Sequence, residues 1–323
     1  MTDAAPATPS SAAISVKPRL RLGTRNSPLA MAQAYETRAR LCAAHGWNEA
    51  EIELVPVVAS GDKVLDRPLA EIGGKALWTK ELDHWLHGGE IDLAVHSMKD
   101  VETLRPPTLA IAAVLPRADT ADRLVGATSI AAIPKGATVG TSAPRRAAQL
   151  LHARPDCRVV SFRGNVATRL AKLERGEADC TLLASAGLDR LGEDAVGARL
   201  DPQDWLPAPA QGAIGIECRS DDHATLSLLA AIDHSPSRHA VMAERALLKV
   251  LGGNCHSPIA MLTDAAGEEL TLRCALFSPD GAERIEASAS GPAGQSEWIA
   301  ALGAQLLAQL TPAMAPHFGH PSG

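Results

Sequence analysis

The sequence predicts an α/β protein of two similar lobes followed by a smaller α+β domain, and three observations carry that prediction. A strand–turn–helix plan occurs twice, in 19–34 (RLRLGTRNSPLAMAQA) and 137–150 (ATVGTSAPRRAAQL), each with a Gly-Thr pair before a helix that opens near a proline. A second plan, Gly-Glu and Asp ahead of an apolar strand, also occurs twice and in the same order, in 88–97 (GGEIDLAVHS) and 175–185 (RGEADCTLLAS). From about 237 the pattern changes to a helix, a glycine-rich loop and alternating strands.

In chain order, residues 1–18 are rich in Ala, Ser, Thr and Pro and read as a disordered leader. The first lobe is expected over 19–117 with a return over 213–232, the second over 118–212, and the third domain over 236–323. Each lobe should hold mostly parallel, buried strands covered by helices. Pro28 and Pro144 suit a first helical turn, where a missing N–H is no loss, and Gln33 and Gln149 each follow five residues on. The first lobe alone carries SGDKVLDRPLAEIGGKALW (60–78), an insert of the kind that forms a functional loop or a mobile lid. In the third domain a helix from Ser237 to Val250 leads to GGNCHSP (252–258). LTLRCALF and AERIEASAS then flank the turn SPDG as antiparallel strands, and a last helix runs near 294–310.

The chain has 323 residues, 46% apolar, 21% charged and 3% aromatic, so aliphatic side chains must build cores for two or three domains. A net charge of −6 argues against a general nucleic-acid or anionic-membrane binder. No apolar run approaches the roughly 20 residues that span a bilayer, and no export signal is recognised. The six scattered cysteines read as reduced thiols of a cytoplasmic protein. His84 and His87 are a weak metal signal, and no metal is expected. Nothing suggests an extended apolar interface, so a monomer is expected.

The net charge hides an asymmetry. Between Arg145 and Arg175 stand eight basic residues, seven of them arginine, against Asp156 and Glu174. Arginine suits bidentate binding of carboxylate or phosphate. Arg25 and Ser27 lie at one strand-to-helix turn, and Thr141, Ser142, Arg145 and Arg146 at its counterpart; such turns attract anions. A solvated helix face is the plain alternative for any one of these arginines, and is preferred for Arg154, Arg158 and Arg175. Nucleic acid is disfavoured because Phe162 is the sole aromatic in the stretch.

Two candidates for chemistry follow. Lys99 and Asp100 come directly after an apolar strand, where open α/β sheets place ligands. A carboxylate among arginines can shuttle protons or stabilise a cation; its plain alternative is a turn cap. Cys255 lies in a glycine-flanked loop that suggests exposure and covalent chemistry, against the alternative of a small buried thiol. His256 is adjacent, but no protease-like triad accompanies it.

Taken together, GTRNSPLA, GGKALWTKEL, IDLAVHSMKDV, GTSAPRR, FRGNVATRL, LASAGLDRLG, PAQGAIGIECR and the Cys-x-x-Pro of NCHSP resemble the porphobilinogen deaminase (hydroxymethylbilane synthase) family from about residue 19 to the end. The resemblance implies two domains like type II periplasmic binding proteins around a cleft, plus a small third domain with an antiparallel sheet. It implies a transferase that joins four porphobilinogen molecules head to tail, with loss of ammonia, on a dipyrromethane cofactor. That cofactor would be bound through a thioether at the position of Cys255. By the same resemblance Asp100 is the catalytic residue. Arg25, Ser27, Lys75, Ser97, Lys99, Thr141, Ser142, Arg145, Arg146, Arg163, Arg169 and Arg190 bind cofactor and substrate carboxylates, and 60–78 is the mobile loop. Ala143, Pro144, Trp78 and Asn254 depart from the family's usual residues. The rival readings are a non-catalytic solute-binding protein on the same two-lobed fold, needing neither Asp100 nor Cys255, and an arginine-rich nucleic-acid binder.

Overall fold

The computed structural model describes residues 18–57 and 79–319; Lys75, Trp78 and the loop expected at 60–78 lie outside the described residues. The first lobe is built from β1 (Leu20–Arg25), α1 (Pro28–His45), β2 (Ile52–Val57), α2 (Lys80–Gly88), β3 (Leu93–Ser97) and β4 (Leu109–Val114). The chain then forms the second lobe: β5 (Asp122–Val125), β6 (Thr138–Gly140), α3 (Pro144–Ala153), β7 (Arg158–Val160), α4 (Val166–Glu174), β8 (Cys180–Ala184), α5 (Ser185–Arg190) and β9 (Ala198–Arg199). It returns to the first sheet as β10 (Ile214–Arg219), followed by α6 (His223–Ala230).

The sheet orders are β2-β1-β3-β10-β4 and β7-β6-β8-β5-β9. In each, one strand runs against the rest: β10 is antiparallel to β3 and β4, and β5 to β8 and β9. The repeat read from the sequence is therefore a repeat of topology. Gly23 pairs with Ala94 and Gly140 with Thr181, at equivalent places in parallel pairs. Both glycines meet core side chains closely. An added Cβ would lie 2.3 Å from Cδ1 of Ile91 at Gly23, and 2.4 Å from the Phe162 ring at Gly140. Strand β3 is buried from Leu93 to His96, as expected for a strand covered on both faces.

The third domain begins with α7 (Ser235–Leu251), continues through β11 (Ile259–Ala266), β12 (Glu269–Phe277) and β13 (Arg284–Pro292), and closes with α8 (Glu297–Leu307). Helix α7 starts two residues before the expected Ser237. Pro236 is tolerated in a first turn, and the His234 ring accepts from the Ser237 amide at 3.4 Å. The expected two-stranded set gains β11 as a third, antiparallel member. Its core packs Leu247 and Leu251 of α7 and Leu302 and Leu306 of α8 onto Met261, Leu272 and Cys274.

Arg117 and Glu244 join this domain to the crossover between the lobes through paired bonds of 2.8 and 3.1 Å. The buried Glu244 also accepts from the Ala210 amide and from Thr263 Oγ1. None of the described helices is long and apolar enough to cross a membrane, and all six cysteines are free thiols.

Candidate active site

Strand β1 delivers Arg25 and, one residue before α1, Ser27. Ser27 caps that helix by accepting from the Ala30 amide at 3.3 Å, which satisfies one of the helix's unpaired N–H groups. Strand β3 delivers Ser97 and then a single 3-10 turn, Met98–Asp100. Met98 is the anchor of that turn. It is buried, its amide donates to Ala213 at 3.0 Å, and its thioether fills the space left by Gly215, where an added Cβ would approach Sδ to 2.0 Å. Lys99 and Asp100 then line one pocket with Arg25, Ser27, Gln33, His96 and Ser97. Gln33 and Ser97 are hydrogen-bonded to each other, Nε2 to Oγ at 2.8 Å.

The charges of the two lobes act on one another here. Arg25 Nη1 lies 4.0 Å from Asp100 Oδ2. Burial pulls the Lys99 ammonium down to about 8, with Arg146 and Arg169 adding to the fall and Asp100 and Asp122 opposing it. Burial likewise lowers Arg169 to about 10, helped by Arg146 and Arg163 and opposed by Asp100. Lys99, Asp100, Arg146, Arg163 and Arg169 therefore belong to one electrostatic cluster that spans the cleft.

On the second lobe, Ser142 Oγ donates to the Phe162 carbonyl at 2.7 Å, and Thr141 Oγ1 accepts from the Ala143 amide at 3.2 Å. Ala143 supplies no side-chain cap to α3, so this turn keeps unpaired N–H groups that Ser27 covers in the first lobe. Arg145 and Arg146 differ from the sequence-based picture of open anion ligands, because both are buried and both bind Asp122. Nη1 of Arg145 reaches Asp122 Oδ2 at 2.6 Å and Nη2 of Arg146 reaches Oδ1 at 2.7 Å. Trp205 Nε1 and Gln211 Nε2 donate to the same carboxylate at 2.9 and 2.8 Å. Burial alone would raise the Asp122 carboxyl, but the two guanidiniums hold it far below the usual range. Two cations against one carboxylate leave a unit of positive charge, and Arg145 Nε is buried with no hydrogen-bond partner.

Arg163 is buried beside this cluster, and Arg169 Nε donates to the Gly164 carbonyl at 2.9 Å. Arg190 lies between the lobes, 3.4 Å from Glu36 on α1 and donating to the Gly212 carbonyl at 3.1 Å, and is already engaged there. Outside the cluster, Arg154 holds Asp156 and the carbonyls of Ile130 and Ile133, and Arg175 pairs with Glu177. Arg158 is exposed beside Thr138.

Cys255 follows the end of α7 and is exposed. Asn254 shapes its loop: its side chain accepts from the His256 amide at 2.8 Å, and its amide donates to Ser257 Oγ at 3.1 Å. Desolvation by the surrounding protein pushes the thiol up to about 11, and the charges of Asp100 and Glu102 add to the rise. The attachment candidate and the acid candidate therefore lie within electrostatic reach of each other. Burial lowers the neighbouring His256.

Residues that sequence reasoning did not assign to the site complete it. Gln33 signalled itself only through its spacing from Pro28. Asp122, buried His96 and buried Glu217 gave no sequence signal, because their partners lie far along the chain. His96 Nε2 is 3.2 Å from Glu217 Oε2, and Arg105 holds both oxygens of Glu217 at 2.9 and 2.8 Å.

Residues 20–227 match the family model described as porphobilinogen deaminase, dipyromethane cofactor binding domain, and residues 239–311 match that of the porphobilinogen deaminase C-terminal domain. The chain is 56% identical over 301 residues to a porphobilinogen deaminase from Sphingopyxis alaskensis, covering 91% of this chain and 95% of the relative. It is 51% identical over 295 residues to one from Paracoccus denitrificans, covering 90% and 93%. Among solved structures, the periplasmic VFT2 domain of Bordetella pertussis BvgS aligns at 16% identity and a TM-score of 0.40, over 70% of this chain and 92% of that one.

Proposed function

The chain belongs to the porphobilinogen deaminase family, and from that premise we propose which of its residues carry the reaction. The enzyme is a transferase, a hydroxymethylbilane synthase of porphyrin and heme biosynthesis. Four porphobilinogen molecules are joined head to tail. Each joining breaks the aminomethyl C–N bond, releases ammonia, forms a C–C bond to the α-carbon of the preceding pyrrole and removes that carbon's proton. Water finally frees the linear tetrapyrrole hydroxymethylbilane.

The observation that carries the residue assignment is that Asp100 lines one pocket with Arg25, Ser27, Ser97 and Lys99, its Oδ2 lying 4.0 Å from Arg25 Nη1. Its charge also reaches Cys255 of the third domain and Arg169 of the second lobe. The residues present fit a tethered, multiply carboxylated primer. Cys255 is the exposed thiol, and Arg145 and Arg146 outnumber their shared carboxylate, with a buried Nε to spare. Cys255 would hold the dipyrromethane through a thioether. When bound, that group supplies the pyrrole carbon on which the chain is built.

Asp100 stabilises positive charge at the substrate's pyrrole nitrogen as ammonia leaves, and accepts or returns the proton in each joining. A general acid–base group contributes about 10²–10⁴ in rate. Lys99, Arg25, Arg163 and Arg169, with Ser27, Ser97, Thr141 and Ser142, bind the acetate and propionate groups. Charge-assisted bonds contribute about 1.5–3 kcal/mol each, so several are needed to hold a lengthening polyanion. Arg190 keeps the lobes in register while it faces the same cleft, and Lys75 would reach the substrate from the insert. We read the domain limits as 19–117 with 213–232, 118–212 and 236–323, a reading supported by the separate sheets. The enzyme acts in the cytoplasm as a monomer, a reading supported by its free thiols and its ordinary surface composition.

The test is the intact mass of the purified protein under denaturing conditions. A covalent excess equal to two linked pyrrole units, absent in Cys255→Ser, supports the assignment. An unmodified mass in protein made with porphobilinogen available removes Cys255 from it.

A further inference from the structure

The segment that leaves the Asp100 turn is gripped from two sides. Arg245 of α7 donates to the carbonyls of Val101, Glu102 and Thr103 at 3.3, 2.7 and 3.2 Å. On the other side Arg105 reaches Glu217 of β10, Asp83 of α2, and Glu102 together with Thr79. Between these grips, Thr103 Oγ1 donates to the carbonyl of Gly253 at 2.8 Å. That bond joins a residue three positions after Asp100 to one two positions before Cys255, across 150 residues of sequence.

The far end of this bond is rigid. The Gly253 amide is held by the Leu248 carbonyl at 2.9 Å, and its Cα packs so tightly that an added Cβ would lie 2.4 Å from Ile259 Cδ1. The near end is rigid as well, because Arg245 and Arg105 fix the backbone on both sides of Thr103. A hydrogen bond between two stiff segments transmits position.

We propose that Thr103 is a positioning residue: through the Gly253 carbonyl it holds the Cys255 loop at its working distance from Asp100. The proposal rests on the assignment of Asp100 and Cys255 above. It concerns geometry, not charge, so binding of substrate carboxylates by the arginines is untouched by it.

Thr103→Val keeps the shape of the side chain and removes the donor. The apoprotein is incubated with porphobilinogen, and the appearance of the covalent primer is followed by intact mass. Loading in Thr103→Val is expected to slow about two- to tenfold, the range to which one net hydrogen bond converts. In the loaded enzyme kcat falls while KM stays within about twofold of the parent. Thr103→Ala repeats the loss with different packing, and Thr103→Ser, which restores the hydroxyl, restores loading and kcat.

Parental loading in both Val and Ala variants, or a Ser variant as slow as Val, overturns the proposal. Cys255→Ser is run alongside. If it acquires the same mass excess, the assignment of Cys255 falls, which is distinguishable from a failure confined to Thr103.

Discussion

Nη1 of Arg25 stands 4.0 Å from Oδ2 of Asp100, close enough to attract and too far to hydrogen-bond. The carboxylate is thereby kept in a positive field. Asp100→Asn preserves the shape and removes the charge. The variant is expected to fold with an unchanged thermal midpoint and to turn over at least ~100-fold more slowly. A steady-state rate near that of the parent would remove Asp100 from the mechanism.

The Cys255 thiol is pushed up to about 11 in the apoprotein, through desolvation first and then the charges of Asp100 and Glu102. Thiolate is the reactive form, so alkylation of Cys255 by iodoacetamide should be slow at neutral pH and rise through pH 11. Asp100→Asn removes a negative neighbour and lowers the thiol's pKa, so its alkylation at pH 9 should be faster than the parent's. An equal or slower rate would mean that the two residues do not sense each other.

Desolvation pulls the half-buried Lys99 ammonium down to about 8, with Arg146 and Arg169 adding to the fall. Since kcat/KM reports the free enzyme, it should fall as pH rises through about 8, when a binding cation is lost. Lys99→Arg keeps its charge across that range, and its kcat/KM profile should lack that limb. Identical profiles for the two proteins would assign the limb elsewhere.

Asp122 is the shared acceptor of two buried guanidiniums, an indole and a carboxamide. Asp122→Ala leaves both cations uncompensated in the interior, at a cost of about 3–5 kcal/mol. The urea midpoint should drop accordingly, and covalent primer loading should fall with it as α3 shifts. A stability loss under ~1 kcal/mol would show that these arginines are solvated in solution.

Glu217 is held at about 2: burial raises it, while His96 at 3.2 Å and the two hydrogen bonds from Arg105 more than offset that rise. An unfolded glutamate titrates near ~4.3. The ionised carboxylate therefore favours the fold fully above about pH 4.3, and this share is lost as pH falls from there toward 2. In Glu217→Gln the stability curve should be lower at pH 6 and shallower between pH 4 and 2. A slope equal to the parent's would place the acid sensitivity in another carboxylate.

Much of the site was legible because its residues are local in sequence. Arg25 and Ser27 share one turn, Ser97, Lys99 and Asp100 follow one strand, and Thr141 to Arg146 repeat the first turn. Each is announced by glycine, proline and apolar spacing. The partners of those residues were not legible. Nothing near Arg145 indicates Asp122, 23 residues away, and nothing near Asp100 indicates Gly253. The start of α7 was placed two residues late because capping by His234 is a side-chain event that periodicity does not register. Strand β11 was missed because it begins at Ile259, directly at the end of the segment read as the cysteine loop.

By itself the sequence determined the two repeated α/β lobes, the change of pattern that starts the third domain and, through motif order, the family, and it put forward Asp100 and Cys255 as candidates for the acid and the thiol. These follow from short-range rules: strand and helix periods, turn chemistry and motif order. Only the tertiary structure shows which groups engage these cations. Arg145 and Arg146 are buried on Asp122 and Arg190 is engaged by Glu36, whereas Lys99 and Arg169 share a field with Asp100. Only it brought Thr103 to Gly253. The reason is that desolvation and charge pairing depend on what surrounds a side chain in space, and those surroundings are assembled here from segments 23 to 154 residues apart.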